Sequence, residues 1–133
     1  MERIWRGGAV PDIVDVTSSR RLAAGVHQAH IECLDRDRDA LLYYLLALHP
    51  GRTMVFCNAV SAVRRVVALL SILGLPAHAI HAQQQQRQRL RSLERFGSNP
   101  SAVLVATDVA ARGIDVRGVR CVVHYQMPAS LGE

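Results

Sequence analysis

The sequence predicts an α/β protein built on a mainly parallel sheet with helices on both faces. Two observations carry this reading. Short apolar runs alternate along the chain with amphipathic stretches of helical length, the pattern of βαβ units. Turn-forming residues also punctuate the boundaries, at Pro50-Gly51, Gly74-Leu75-Pro76 and Gly97. A chain of 133 residues, 50% hydrophobic and 20% charged, has the size and composition of one domain, residues 1–133, with residues 1–10 as a lead-in.

The elements follow in order. Asp12–Thr17 and Val26–Cys33 read as strands, the second with alternating polarity. A helix over Asp35–Leu48 carries Asp35, Asp37 and Asp39 in its first turn, where they complement the helix dipole, and Leu41, Leu42, Leu45 and Leu48 at helical spacing. Thr53–Asn58 is a short apolar strand, and Asn58 is suited to cap the helix that follows. Val60, Val63, Val67 and Leu70 mark that helix's buried face. Ala77–His81 is a weaker strand. The stretch beginning at the glutamine run 83–86 is helical up to Gly97. Ala102–Thr107 and Cys121–Pro128 are the remaining strands.

Composition excludes several classes. No apolar run approaches the ~20 residues needed to span a bilayer, and the amino terminus lacks the apolar centre of a signal peptide, so the expectation is an intracellular protein with no membrane partner. Cys33, Cys57 and Cys121 are odd in number and widely spaced, which favours free buried thiols over disulfides or a zinc site. The histidines are scattered, so no metal site is expected. All sixteen cationic residues are arginine, and the net charge of +5 permits a polyanionic partner without demanding one.

In parallel sheets ligands gather beyond the carboxyl ends of the strands, here Cys57-Asn58, His81-Ala82, Thr107-Asp108 and Tyr125-Gln126, and three constellations stand out. The first is Val105–Val116, VATDVAARGIDV. Thr107 and Asp108 stand where a buried strand passes into a short helix, a place where free N–H groups and hydroxyls hold phosphate; Arg112 adds a cation, and Gly113 permits close approach. Asp115 is unsuited to phosphate and suited to sugar hydroxyls. Spacing alone equally allows a plain helix cap with a solvated Arg112. In the second, QRQRLRSLERF, arginines 87, 91 and 95 share one solvent face, while Gln86 and Arg89 project into the apolar sector, where polar groups need partners or a task. That arginine stripe reads as a solvated face or as a phosphate contact. The third is Phe56, an aromatic near the end of an aliphatic strand, either core filling or a support for a functional arginine. Neither GxxxxGK[ST] nor GxGxxG is present.

Taken together, TMVFCN (53–58), HAQQQQRQRLRSLERF (81–96), LVATDVAARGIDV (104–116) and VVHYQMP (122–128) resemble the second, C-terminal RecA-like domain of DEAD-box ATP-dependent RNA helicases, in the family's order and spacing, from about Val10 to Pro128. The resemblance implies a RecA-like three-layer α/β/α fold, incomplete at its C-terminal end. It implies RNA contacts at Asn58, Gln86, Arg89, Thr107, Asp108, Arg112 and Gly113, a contact of Asp115 with the ATP ribose, and a supporting role for Phe56 beside the arginine finger. ATP and Mg²⁺ are then held mainly by an N-terminal RecA-like partner domain, and no catalytic residue lies within these 133 residues. The family's HRxGRxxR motif is expected just beyond Pro128, so the chain is expected to turn over no ATP alone and to leave an apolar sheet edge that offers a dimer contact. Two departures stand out: His81-Ala82-Gln83 where the family has His-Gly-Asp, and Gln126 in place of a common aspartate. HYQMP and LLYYLLALHPGRTMVFCN are most similar to a nucleolar subgroup serving large-subunit ribosome assembly, which implies the nucleus or nucleolus if the source is eukaryotic. A non-catalytic RNA-binding or regulatory module of the same fold is the alternative. A double-stranded-DNA translocase fits less well, because ATDVAARGID matches the RNA-directed branch.

Overall fold

The computed structural model describes residues 12–15, 29–114 and 117–126, in two compact units that divide between Leu45 and Leu46. In the first, β1 (Asp12–Asp15) pairs antiparallel with β2 (Ala29–Glu32), Ile13 opposite Ile31. These strands form a two-stranded sheet of their own, and residues 16–17 and 26–28 of the predicted spans lie outside the described residues. A 3₁₀ turn at Asp35–Asp37 precedes α1 (Arg38–Leu48), and Arg38 donates to Asp35 at 2.6 Å across that turn. The predicted helix start is thus a tighter turn, with Leu41, Leu42 and Leu46 as the buried positions.

The second unit is a four-stranded parallel sheet in the order β4-β5-β3-β6, built from β3 (Arg52–Cys57), β4 (Ala77–Ile80), β5 (Val103–Thr107) and β6 (Val119–His124). The helices between them are α2 (Val60–Ile72), α3 (Gln86–Ser98) and the short α4 (Asp108–Ala111). Ala102 through Ala106 are all buried, because β5 is a central strand covered on both faces, which is why its sequence runs apolar without alternation.

Alternation along the strands divides the core in two. Leu104, Ala106 and Ile80 pack with Phe96 of α3 and Ala110 of α4, joined by Met54, Leu93 and Ile114. Val55, Cys57, Val103 and Val105 face the other way, and α2, which runs against β3, β4 and β5, contributes the fully buried Val63, Val66 and Leu70. The chain moves from β3 to β4 in one direction across the sheet and returns from β4 through β5 to β6. Right-handed crossovers then place α2 on one face and α3 and α4 on the other. This is the expected three-layer α/β/α arrangement.

Two local devices hold α3. Its last carbonyls are gathered by one side chain, Arg52: Nε donates to Phe96 O at 3.2 Å and Asn99 O at 3.3 Å, and Nη2 to Gly97 O at 2.7 Å. A cation there also meets the negative end of the helix dipole. Gly118, at φ +76°, leaves room for that guanidinium, since a Cβ would lie 2.7 Å from Nη1.

At the other end, the glutamine run is not the first turn of the helix. Gln83 accepts from Arg64, and Gln84 clips the rim of β4, donating to Ala79 O at 2.7 Å and accepting from His81 N at 3.0 Å. Gln85 is the N-cap, its N–H bonded to Gln88 Oε1 as in a capping box. Helix α3 therefore starts at Gln86. Near β3, Ala59 rather than Asn58 is the N-cap of α2.

Candidate functional site

Register alignment brings the carboxyl ends of the strands together. Cys57 of β3 lies opposite Thr107 of β5, Phe56 opposite His124 of β6, and Ile80 of β4 opposite Ala106. The residues that follow these positions, Asn58, His81, Asp108 and Gln126, share that rim.

Thr107 caps α4, its Oγ1 accepting from Ala110 N at 3.4 Å. Asp108 and Arg112 approach to 3.7 Å as an i,i+4 pair, but their side chains are 73% and 74% exposed. A pair so open to water contributes little, and the Arg112 guanidinium stays accessible to an incoming anion. Gly113 turns the chain at φ +77° with open space where a Cβ would point, a backbone that L residues adopt at a cost of about 1–2 kcal/mol. Asp115 lies outside the described residues.

Arg89 connects α3 to this loop. Its Nη2 donates to Ala110 O at 2.7 Å, taking a carbonyl at the end of a helix too short to satisfy it. The polar residue on the apolar sector thus has its partner. Gln86 does not follow: it is exposed, because α3 begins there and the residue lies at the helix start rather than over the sheet. Leu90, assigned by periodicity to the buried face, is 50% exposed.

On β3, Phe56 stacks on His124, ring centroids 5.2 Å apart and planes 21° from parallel, so its described aromatic partner is an imidazole on the neighbouring strand. Asn58 N–H donates to Gln126 Oε1 at 3.0 Å, and Tyr125 N–H to Phe56 O at 2.9 Å, which carries the β3–β6 ladder past the end of the strand. Arg65 of α2 donates to the Tyr125 hydroxyl at 2.9 Å. The sequence directs attention to the strand end at Tyr125-Gln126, but not to Arg65 or to these contacts, which span 60 and 68 residues and carry no sequence signal. Beneath the rim, burial pushes the Cys57 thiol up to about 11 against the weaker pull of Arg65, which makes it a neutral packing group. Among the described residues no three His, Cys, Asp or Glu side chains are placed to hold a metal ion.

A parallel sheet with helices on both faces, and a polar, arginine-bearing rim at the carboxyl ends of its strands, defines a RecA-like α/β domain. The chain belongs to the helicase conserved C-terminal domain family, which matches residues 37–133. It is 48% identical over 122 residues to the ATP-dependent RNA helicase MAK5 of Coccidioides immitis, covering 89% of this chain and 16% of that protein. To the DEAD-box ATP-dependent RNA helicase 13 of Arabidopsis thaliana it is 42% identical, covering 89% and 14%. Among solved structures it is similar to a DEAD box protein from Methanococcus jannaschii, with a TM-score of 0.68 and 32% identity over 74% of this chain and 27% of the other. It is also similar to the Escherichia coli DEAD-box protein SrmB, solved with the regulator of ribonuclease activity A, with a TM-score of 0.65 and 33% identity over 70% and 55%. The chain spans less than a fifth of the length of these curated relatives.

Proposed function

We propose that the chain serves as the second RecA-like domain of an ATP-dependent RNA helicase, binding the RNA backbone at the rim of its sheet. Asn58, Gln86, Arg89, Thr107, Asp108, Arg112 and Gly113 form the RNA surface. Arg112 and Arg89 supply charge, and the turn at Gly113 supplies close approach of the backbone. Asp115 meets the ATP ribose, and Phe56 supports the arginine-finger region. An N-terminal RecA-like domain of the same protein would hold the triphosphate and Mg²⁺, and closure of the two domains over ATP would couple hydrolysis, a phosphoryl transfer to water, to local strand separation. The resemblance of HYQMP and LLYYLLALHPGRTMVFCN to a nucleolar helicase subgroup supports a role in ribosome biogenesis and a place in the nucleolus. Among the described residues β6 is an edge strand, with Val122 53% exposed, and that edge is where a second copy of the chain would pair.

The observation that carries this reading is the bond from Arg89 to Ala110 O, which ties the segment of Gln86 and Arg89 to the loop bearing Arg112 and Gly113. The test is binding of a single-stranded 6-nucleotide oligouridylate by fluorescence anisotropy across salt concentrations. Binding should weaken steeply with salt, and Arg112→Ala should reduce both affinity and salt slope. Salt-independent binding, or binding indifferent to Arg112, overturns the assignment. The chain alone should show no RNA-stimulated ATP turnover, and joining it to both a matching N-terminal domain and an HRxGRxxR-bearing continuation should produce turnover.

A further inference from the structure

Beside the rim, a second cationic feature runs along the outer edge of β4. A groove of about 470 Å³ lies between that strand and α3, lined by Arg64, His78, His81, Arg91 and Arg95 with glutamine amides between them and no carboxylate. Arg91 and Arg95 are exposed, and neither is paired with an acid among the described residues. Their separation of four residues sets them about 6 Å apart along the helix, facing the groove together.

Two histidines line this groove beside the arginines. His81 is buried, and its Nδ1 accepts from Gln83 N at 3.2 Å, which leaves the proton on Nε2. Desolvation, and then Arg64, hold it below the usual imidazole range. His78 is held down in the same way by desolvation and Arg95. Among the described residues no carboxylate joins these guanidinium groups, in a cavity that His81 lines at the carboxyl end of β4. A merely solvated helix face would not require α2 and α3 both to direct guanidinium groups into one cleft.

We propose that this groove is an accessory phosphate track, in which an RNA strand leaving the rim of the sheet descends along the edge of β4 and places successive phosphates against Arg91 and Arg95. The proposal rests on the RNA-binding reading of the rim and extends its footprint. Phosphate is the recognised chemistry, and continuity with the rim favours a polynucleotide over a free phosphorylated solute.

The test compares 6- and 14-nucleotide oligouridylates on the wild-type protein and on the double variant Arg91→Gln/Arg95→Gln, whose side chains are exposed and make no structural bond described above. The 14-mer should lose roughly tenfold in affinity, and its logarithmic salt slope should become shallower by about 1.4, two phosphates at ~0.7 each. The 6-mer should be unchanged. In a parallel NMR titration, the 14-mer should shift the His78 and His81 imidazole signals. Equal losses for both lengths, or a loss for neither, overturn the track. Pyrophosphate shifting both imidazoles while the 14-mer shifts neither also overturns it, in favour of a small-anion site. Failure of the rim reading is distinct: it appears as 6-mer binding that is undetectable or indifferent to Arg112.

Discussion

Replacing Arg89 with alanine separates two roles that one side chain combines. Its guanidinium donates to Ala110 O at 2.7 Å, and Ala110 is 5% exposed, so truncation leaves a largely buried carbonyl at the end of α4 without its charged partner. Such bonds contribute about 1.5–3 kcal/mol; Arg89 is half-buried, which points to the lower part, about 1.5–2 kcal/mol. For a chain of this size that is a fall in Tm of roughly 5–10 °C, measurable by calorimetry or urea titration. The salt slope for RNA should also become shallower by about 0.7 if one phosphate contact is lost. Arg89→Lys retains the charge but not the planar fork, so it should restore much of the salt slope and little of the stability. If Arg89→Ala is destabilised by the stated amount yet binds RNA with unchanged affinity and slope, placement of α4 does not govern RNA contact and the reasoning fails.

Three further outcomes follow from the geometry. Arg52→Ala removes three hydrogen bonds from the carboxyl end of α3 and should cost about 2 kcal/mol in urea unfolding; Arg52→Lys should recover only part of it. Because His78 and His81 are held below 6.5 in the folded protein, the unfolded chain takes up protons first as the medium is acidified. Their contribution to stability is therefore full above about pH 6.5 and lost as the pH falls through their folded values, a decline that His78→Gln/His81→Gln should flatten in urea titrations at pH 5 and 7.5. Gly113→Ala places a Cβ at φ +77°. It should cost about 1–2 kcal/mol with no steric clash, and equilibrium unfolding within 0.3 kcal/mol of wild type would contradict that backbone.

How far the sequence spoke depended on the range of the interactions involved. The apolar run at 102–106 announced a central strand because burial on both faces leaves no polar position, and the strands' common direction then fixed where Thr107 and Asp108 would stand. Arg89 was recognised as an inward polar residue, though not its partner, because a carbonyl carries no sequence signature. Local pattern failed where a distant group intervened. Asn58 resembles a cap, but its N–H is held by Gln126 and the cap position falls to Ala59. The four consecutive glutamines look interchangeable on a helical wheel. Their different tasks are set by Arg64, Ala79, His81 and Gln88, none of which helical periodicity can reveal.

The clip formed by Gln84 bears on how this protein avoids sticking to itself. Bare margins of a sheet recruit foreign chains by offering a ladder of unused amide and carbonyl groups. Here a side-chain amide imitates the next rung, engaging Ala79 O and His81 N, so an intruding strand must evict it before it can dock. Exchange of Gln84 for leucine should turn a quiet border into a nucleation point for aggregates, detectable as light scattering on mild heating well below the unfolding temperature.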